Sequence, residues 1–291
     1  PVTNLDGLKN LVSVRCDLTI TAAYTGETLA GLENLTACES LRIGSAAHPN
    51  ETLRQLSLPA LKEIKGDLCV YGTALQTADF KSLQSVAGHF VLQSDALLQL
   101  TADELTTVAG NMTLIGTTAD EAKAPCEQMY FPKLQRIDGT LTLSRFDRLS
   151  GLGTTFGVLT QAGALRYEHL ALANTFEFPL IETTGNITVT DCPILRSVLL
   201  PALTDAGSLE ITGVRPSKHY PSRKRSVSTA TLAWQRSPRS RISGNSFRRS
   251  KPFQATCRST TCRRSKAYWI SRDALFLRTV RSTCVWSPRR D

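Results

Sequence analysis

A spaced apolar motif that repeats along the chain limits its possible folds more than any other feature. In the stretch SLPALKEIKGDLCVYGT, Leu61 and Ile64 precede Gly66, and Leu68 and Val70 follow it at alternate positions. If the glycine is position 0, these apolar residues lie at −5, −2, +2 and +4. Copies of the pattern, some of them weaker, are centred on nine reference positions: Cys16, Glu39, Gly66, Gly88, Gly110, Gly139, Gly163, Gly185 and Gly207.

The distance between neighbouring copies indicates a solenoid. Successive reference positions are 22 to 29 residues apart, and units of this length bury their apolar faces only by stacking on one another. Because side chains alternate along a strand, the residues at +2 and +4 should point into the core, and those at +1 and +3 toward solvent. We therefore predict a mainly β fold: a right-handed parallel β-solenoid of the leucine-rich-repeat type, with about nine coils over residues 1–214. An ordinary β-sandwich with chance spacing is the alternative, and nine copies in one register disfavour it.

The corners and the outer face of each coil have their own sequence signals. Glycine at position 0 suits a tight corner, where the backbone needs conformational freedom. Nine residues after the glycine, a second apolar corner is predicted at Leu75, Leu97 and Ile194. Position +3 predicts an exposed threonine-rich sheet face, formed in part by Thr19, Thr113, Thr142 and Thr188.

Charge divides the chain into two segments near Val214. Residues 215–291 contain 20 Lys and Arg against 2 Asp and Glu, a balance of +18, so residues 1–214 contain 14 bases and 23 acids, a balance of −9. The basic segment shows neither helical nor strand periodicity, and it holds all three Trp residues. We interpret it as an irregular tail that is either a mistranslated segment, such as a shifted reading frame, or disordered. A nucleic-acid-binding tail is the third alternative.

Asparagine and cysteine usage favours an extracellular protein. Sequons occur at Asn34, Asn50, Asn111 and Asn186, all within the acidic segment, and they predict N-glycosylation if the protein is secreted. Cys16 and Cys38 fall on adjacent predicted coils, so they form a candidate disulfide. Cys126 is a candidate partner for Cys192, which would leave Cys69 alone on the outer face.

The sequence contains no recognisable catalytic, cofactor or metal motif. His89 is predicted to lie on the solvent face, and no nucleophile motif accompanies any histidine. Asp17 and Asp67 face outward two coils apart, at about 10 Å, and the coil between them carries no third carboxylate, which is sparse for glycoside hydrolysis. We therefore predict a protein that is not an enzyme and that uses no cofactor. The sequence also lacks an apolar run long enough to span a membrane.

The coils resemble the receptor L-domain-like repeats of fungal GPI-anchored glycoproteins of cell-wall organisation and sporulation. The resemblance covers about residues 5–214 and is carried by LPALKEIKGDLCVYG, FPKLQRIDGTLTLS, GNITVTDCPILRSVLLPAL and GSLEITG. It implies a secreted glycoprotein at the cell surface that supports cell-wall integrity without catalysis. The implied partners are cell-wall polysaccharides or surface glycoproteins, with no nucleic acid. A signal peptide and a GPI anchor are expected in the intact protein, and neither is visible in this chain.

Two other functions remain open from the sequence. The first is a ligand-binding receptor ectodomain, which needs a concave surface rich in aromatic residues or arginine. The +3 row offers only Arg42 and Arg166 for that purpose. The second is a nucleic-acid-binding protein that acts through residues 215–291, for which binding should weaken steeply with salt.

Overall fold

The computed structural model is a parallel β-solenoid with almost no helix. It describes residues 2–117, 124–149 and 152–214, together with the backbone of three short strands at 230–233, 269–270 and 275–276. A 3-10 helix spans Asp6–Leu8, and one short helix, α1, spans Leu152–Thr155. The strands are β1 (Leu18–Ile20), β2 (Ala37–Cys38), β3 (Leu41–Ile43), β4 (Gln55–Ser57), β5 (Glu63–Ile64), β6 (Leu68–Tyr71), β7 (Thr77–Asp79), β8 (Ser85–Val86), β9 (Phe90–Gln93), β10 (Gln99–Thr101), β11 (Thr107–Val108), β12 (Met112–Ile115), β13 (Gln128–Tyr130), β14 (Arg136–Ser144), β15 (Gln161–Glu168), β16 (Thr175–Glu177), β17 (Thr183–Thr190), β18 (Ser197–Leu199), β19 (Asp205–Thr212), β20 (Ala230–Ala233), β21 (Trp269–Ile270) and β22 (Leu275–Phe276).

The first face of the solenoid is a parallel sheet that takes one strand from each predicted repeat. Its order is β1-β3-β6-β9-β12-β14-β15-β17-β19, so nine stacked strands make about eight full turns. The residues predicted at +2 are direct neighbours throughout: Leu18, Leu41, Leu68, Phe90, Met112, Leu141, Leu165, Ile187 and Leu209. The predicted mainly β parallel solenoid and the register of its first sheet are therefore confirmed.

The inward side chains of stacked coils form one continuous core. Leu68 and Val70 are fully buried, whereas the residues between them and after them are only partly buried. A spine of phenylalanine rings runs through the core with centroids 5.5 to 6.4 Å apart, from Phe80 through Phe90, Phe131 and Phe156 to Phe178. Edge-to-face and stacked pairs at these distances add to the stabilisation that burial alone provides.

Two further faces complete the coils that precede β14. Short strands β2, β5, β8 and β11 pair in order and then join the first half of β14. Strands β4, β7, β10 and β13 form a separate parallel sheet, which we call the third sheet. The apolar repeat did not predict the third sheet, although alternating buried residues such as Leu56 and Leu58 mark it.

The glycines at position 0 are required by close stacking and not by an unusual backbone conformation. A Cβ on Gly110 would lie 2.6 Å from the carbonyl oxygen of Gly88, and a Cβ on Gly88 would lie 2.6 Å from that of Gly66. The glycines with positive φ lie elsewhere, as at Gly44 and Gly213. The expectation that these glycines supply conformational freedom at a corner is therefore wrong. Each glycine instead lets one coil approach the backbone of the previous coil.

The second predicted corner is correct at two positions and wrong at the third. Leu75 and Leu97 are fully buried, but Ile194 is 41% exposed and Leu195 occupies the core in its place. The later coils therefore place the buried residue one position further along the chain than the earlier coils do.

Three short strands of the basic segment are described at the C-terminal end of the solenoid. Strand β20 pairs antiparallel with β19, and β22 pairs antiparallel with β18 and with β21. The predictions of a disordered, mistranslated or nucleic-acid-binding segment concern residues that, apart from these strands, lie outside the described part of the chain.

Candidate functional site

The threonine-rich face is the outer surface of the first sheet. Its central row is the predicted +3 row, in which strand pairing aligns Thr19, Arg42, Cys69, Val91, Thr113, Thr142, Arg166, Thr188 and Glu210. The arginines are occupied by neighbouring carboxylates: Arg42 lies 3.3 Å from Asp67 and 3.8 Å from Asp17. Asp17 and Asp67, the two carboxylates considered above for glycoside hydrolysis, are therefore both paired with the Arg42 guanidinium.

The +1 row forms a hydrogen-bonded ladder between coils. Asp67 Oδ1 accepts from the His89 backbone N–H at 2.9 Å, and His89 Nδ1 accepts from the Asn111 N–H at 2.9 Å. Asn111 Oδ1 then accepts from the Thr140 N–H at 2.8 Å. His89, predicted to be merely solvent-facing, is exposed but also holds the next coil in register.

Three of the four sequons lie on exposed asparagines. Asn111 and Asn186 both lie in the +1 row, and each uses its Oδ1 as an acceptor, from the Thr140 N–H and the Ser208 hydroxyl respectively. The Nδ2 atom, which would carry a glycan, is not the atom engaged in these contacts. Asn34 is also exposed, and its Nδ2 donates to the Lys9 carbonyl at 2.8 Å. Glycosylation at these three positions remains a prediction.

The fourth sequon, at Asn50, differs from the other three because its asparagine is buried. Its side chain is fully buried, and Nδ2 donates to the carbonyls of Tyr24 at 2.9 Å and Thr21 at 3.4 Å. Its Oδ1 accepts from the backbone N–H of Leu53 at 2.8 Å and of Thr52 at 3.1 Å. A glycan on Nδ2 would have no space and would remove a donor from buried carbonyls, so the folded chain is incompatible with glycosylation at Asn50.

The cysteines of the described coils are free thiols in this structure. Cys38 fills a core position beside Ile64, whereas Cys16 is exposed at an outer corner, so the two candidate disulfide partners face different surroundings. Cys126 and Cys192 lie three coils apart, about 14 Å at the usual strand spacing, which exceeds the span of a disulfide. Burial raises the pKa of Cys38 and Cys192 to about 11 and that of Cys126 to about 12.

The third sheet carries a groove on its outer surface. The groove has a volume of about 470 Å³ and crosses β4, β7 and β10. Stacked outward residues form two rows that continue onto β13. The first row is Gln55, Thr77, Gln99 and Gln128, and the second is Ser57, Asp79, Thr101 and Tyr130.

The groove is lined by both outward rows and by two charged side chains beyond them. Thr101 Oγ1 donates to Asp79 Oδ1 at 2.9 Å, which orients the carboxylate within its row. Lys81 and Asp103 lie two residues beyond the second row and line the groove, as do glutamines of the first row. This surface was not predicted from the sequence, because its polar residues form rows only when the coils stack.

The described residues show no arrangement suited to a metal ion. Within them, no group of three or more His, Cys, Asp or Glu side chains is placed to hold one. In the same part of the chain, no helix has the length and apolarity required to cross a bilayer.

Comparison with known proteins adds no assignment. No family model, curated protein or solved structure matches the chain. The resemblance to fungal wall glycoproteins therefore remains a prediction from the sequence motifs.

Proposed function

We propose that this chain is a non-catalytic extracellular glycoprotein of the cell surface that supports the organisation and integrity of a fungal cell wall. Its solenoid would act as a rigid rod whose outer faces contact wall polysaccharides or other surface glycoproteins. In the intact protein, a GPI anchor would hold the rod at the plasma membrane or in the wall. The proposal rests on the repeat motif and on the placement of the sequons.

The observation that carries the proposal is the position of Asn111 and Asn186 in one exposed row. Both asparagines use Oδ1 to join neighbouring coils and leave Nδ2 for modification. A glycan at either position would project from the solenoid without disturbing the ladder. Asn34, exposed near the first coils, provides a third compatible position.

The rigidity that such a rod needs comes from its packing. The core residues of neighbouring coils contact each other along the length of the described solenoid, and stacked repeats form extended surfaces suited to binding. The proposed role therefore requires only stable surfaces and no reacting group.

Peptide mapping of the native protein tests the proposal. Chymotrypsin is the suitable protease, because trypsin would cut the arginine-rich segment into very small pieces. Enzymatic deglycosylation in H₂¹⁸O marks each occupied asparagine by its conversion to labelled aspartate. We expect labelling at Asn111 and Asn186, with Asn34 as a further site. Asn50, which has the same sequon chemistry but is buried, is the internal control and should remain unlabelled.

The opposite result has a definite meaning. If all four asparagines are unmodified in the native protein, the proposed extracellular setting is wrong. If peptides from the basic segment, such as one around Trp269, also appear, the nucleic-acid-binding alternative becomes the function to pursue.

A further inference from the structure

We propose that the groove of the third sheet binds a linear, neutral polymer of β-linked hexose units, which lies along the solenoid axis. The proposal names a site and a ligand class for the surface role above, and it rests on that proposed function only for the source of the polymer. Binding itself depends on the groove alone.

The repeat of the groove matches a repeating ligand. Strands β4, β7, β10 and β13 are stacked in parallel, so equivalent side chains recur about every 4.8 Å along the axis. That interval is close to the length of one hexopyranose unit in an extended β-linked chain. Each unit would therefore meet one amide or hydroxyl from the first row and one hydroxyl or carboxylate from the second row.

The chemistry of the groove suits hydroxyl groups. Side-chain amides such as Gln55 and Gln99 both donate and accept, and Asp79 has acceptor capacity beyond its bond from Thr101;. Polysaccharide hydroxyls also donate and accept, so each can pair with either row. An extended peptide is a poorer occupant, because it gains affinity by adding to a sheet edge, and the groove floor is the face of paired strands.

Charge excludes an anionic polymer from this groove. Its lining has the carboxylates of Asp79 and Asp103 against the single cation of Lys81. The surrounding solenoid segment has a net charge of −9, from 14 bases and 23 acids. Nucleic acids and acidic polysaccharides would be repelled, whereas a neutral polymer is not.

An exposed aromatic ring lies at one end of the second row. Tyr130 is 44% exposed and follows Thr101 in the row, one coil beyond the groove. Its hydroxyl donates to Gln128 Oε1, which positions the ring on the outer surface. A tyrosine presents a large apolar face with a polar tip, and the apolar face of a hexose ring can stack on it. The groove and Tyr130 together offer positions for about four sugar units, because three coil spacings of about 4.8 Å separate β4 from β13.

Two matched threonine substitutions test the site in the full chain. Thr101→Val removes a hydroxyl from the groove floor and frees Asp79, and Thr142→Val makes the same change on the first sheet. Both threonines point outward and are half-buried. The probes are linear β-1,3- and β-1,4-linked glucose oligomers of two to six units, with binding measured by calorimetry on unglycosylated recombinant protein. Melting temperatures confirm that each variant is folded. If Thr101→Val does not fold, Asp79→Asn serves as the groove variant in its place.

We expect at least one oligomer series to bind, with affinity that rises to about four units and then levels off. Thr101→Val or Asp79→Asn should weaken binding roughly tenfold, the usual effect of losing a hydrogen-bonding pair, and Thr142→Val should not. Absence of binding by the folded protein, or equal weakening by Thr101→Val and Thr142→Val, would overturn the proposal. Because the protein used is unglycosylated, this outcome is independent of the glycan mapping that tests the proposed function.

Discussion

Replacement of Gly110 by alanine is the most direct test of how the coils stack. The new Cβ would lie 2.6 Å from the carbonyl oxygen of Gly88, 2.7 Å from the carbonyl carbon of Gly88 and 2.7 Å from His89 Nδ1. The first two atoms belong to the backbone of the previous coil, which is itself hydrogen-bonded and packed on both sides. Overpacking of this kind costs about 1–3 kcal/mol, and a fixed backbone places the expected cost near the upper value. In a domain of this size, 3 kcal/mol lowers the melting temperature by roughly 6–12 °C.

Thermal unfolding followed by circular dichroism measures this effect, and two variants control for it. A Cβ on Gly7 would meet nothing within 4 Å, so Gly7→Ala should change stability by no more than about 0.5 kcal/mol. Cys16 occupies the same slot as Gly110 and already carries a side chain, which is exposed. Cys16→Gly should therefore relieve no clash. If Gly110→Ala melts together with Gly7→Ala, close backbone approach is not the reason for the glycine row.

Four further predictions concern the core. Tyr167→Phe should raise the melting temperature, because the buried hydroxyl has no partner among the described residues and leaving it unpaired costs about 1–3 kcal/mol. Tyr24→Phe should lower it, because that hydroxyl donates to the Thr28 carbonyl at 2.5 Å. By circular dichroism, Leu68→Asp should abolish the folded signal by placing a charge between coils, whereas the outward Thr142→Asp should change stability little, and equal effects would contradict the register. Burial raises the pKa of Cys38, Cys192 and Cys126, so the unfolded state loses these protons first and the urea concentration at the unfolding midpoint should fall as pH rises from about 8.5, the unfolded thiol pKa, toward 11. Below about pH 8.5 the thiols should not affect this midpoint, and a midpoint that stays constant up to pH 11 would contradict the raised pKa values.

The register of the first sheet was predictable because one strict pattern specifies it. The apolar pair at +2 and +4 recurs in each copy, and a one-residue shift would turn these side chains toward solvent. Leu68 and Val70 therefore determined the positions of their neighbours in every coil. The same pattern predicted the outward row that contains Thr142.

Counting from the reference positions failed where a coil has a different length. Only Glu39 and Ser40 separate Cys38 from Leu41, whereas three residues separate Ile64 from Leu68. Cys38 consequently pairs with Ile64 and points inward, although it lies one position before Glu39 and the repeat expects the apolar residue two positions before. The candidate disulfide with Cys16 was inferred from coil adjacency alone, which does not specify the direction of either side chain.

Local motifs also did not reveal how an individual polar side chain is used. The sequon at Asn50 has the same letters as an exposed sequon, but the asparagine satisfies carbonyls of the preceding coil from within the core. Similarly, Asp79 and Thr101 are ordinary polar residues in the sequence, 22 positions apart, and only stacking places them in contact. Such contacts depend on the number of residues in each coil, which the apolar pattern tolerates over a range.

Coil stacking links the stability of the solenoid to the proposed binding of a polymer. The groove presents the same chemistry at each level only if β4, β7 and β10 remain in register. The glycine contacts and the ladder through His89 and Asn111 connect particular residues of neighbouring coils, so they oppose a slip of one coil on the next. Gly110→Ala, although distant from the groove floor, should therefore weaken both stability and oligosaccharide binding. Thr101→Val should weaken binding with little change in melting temperature, because its half-buried hydroxyl contributes to the surface and not to the core. A loss of stability with unchanged oligosaccharide binding in Gly110→Ala would show that register and ligand recognition are not coupled in this way.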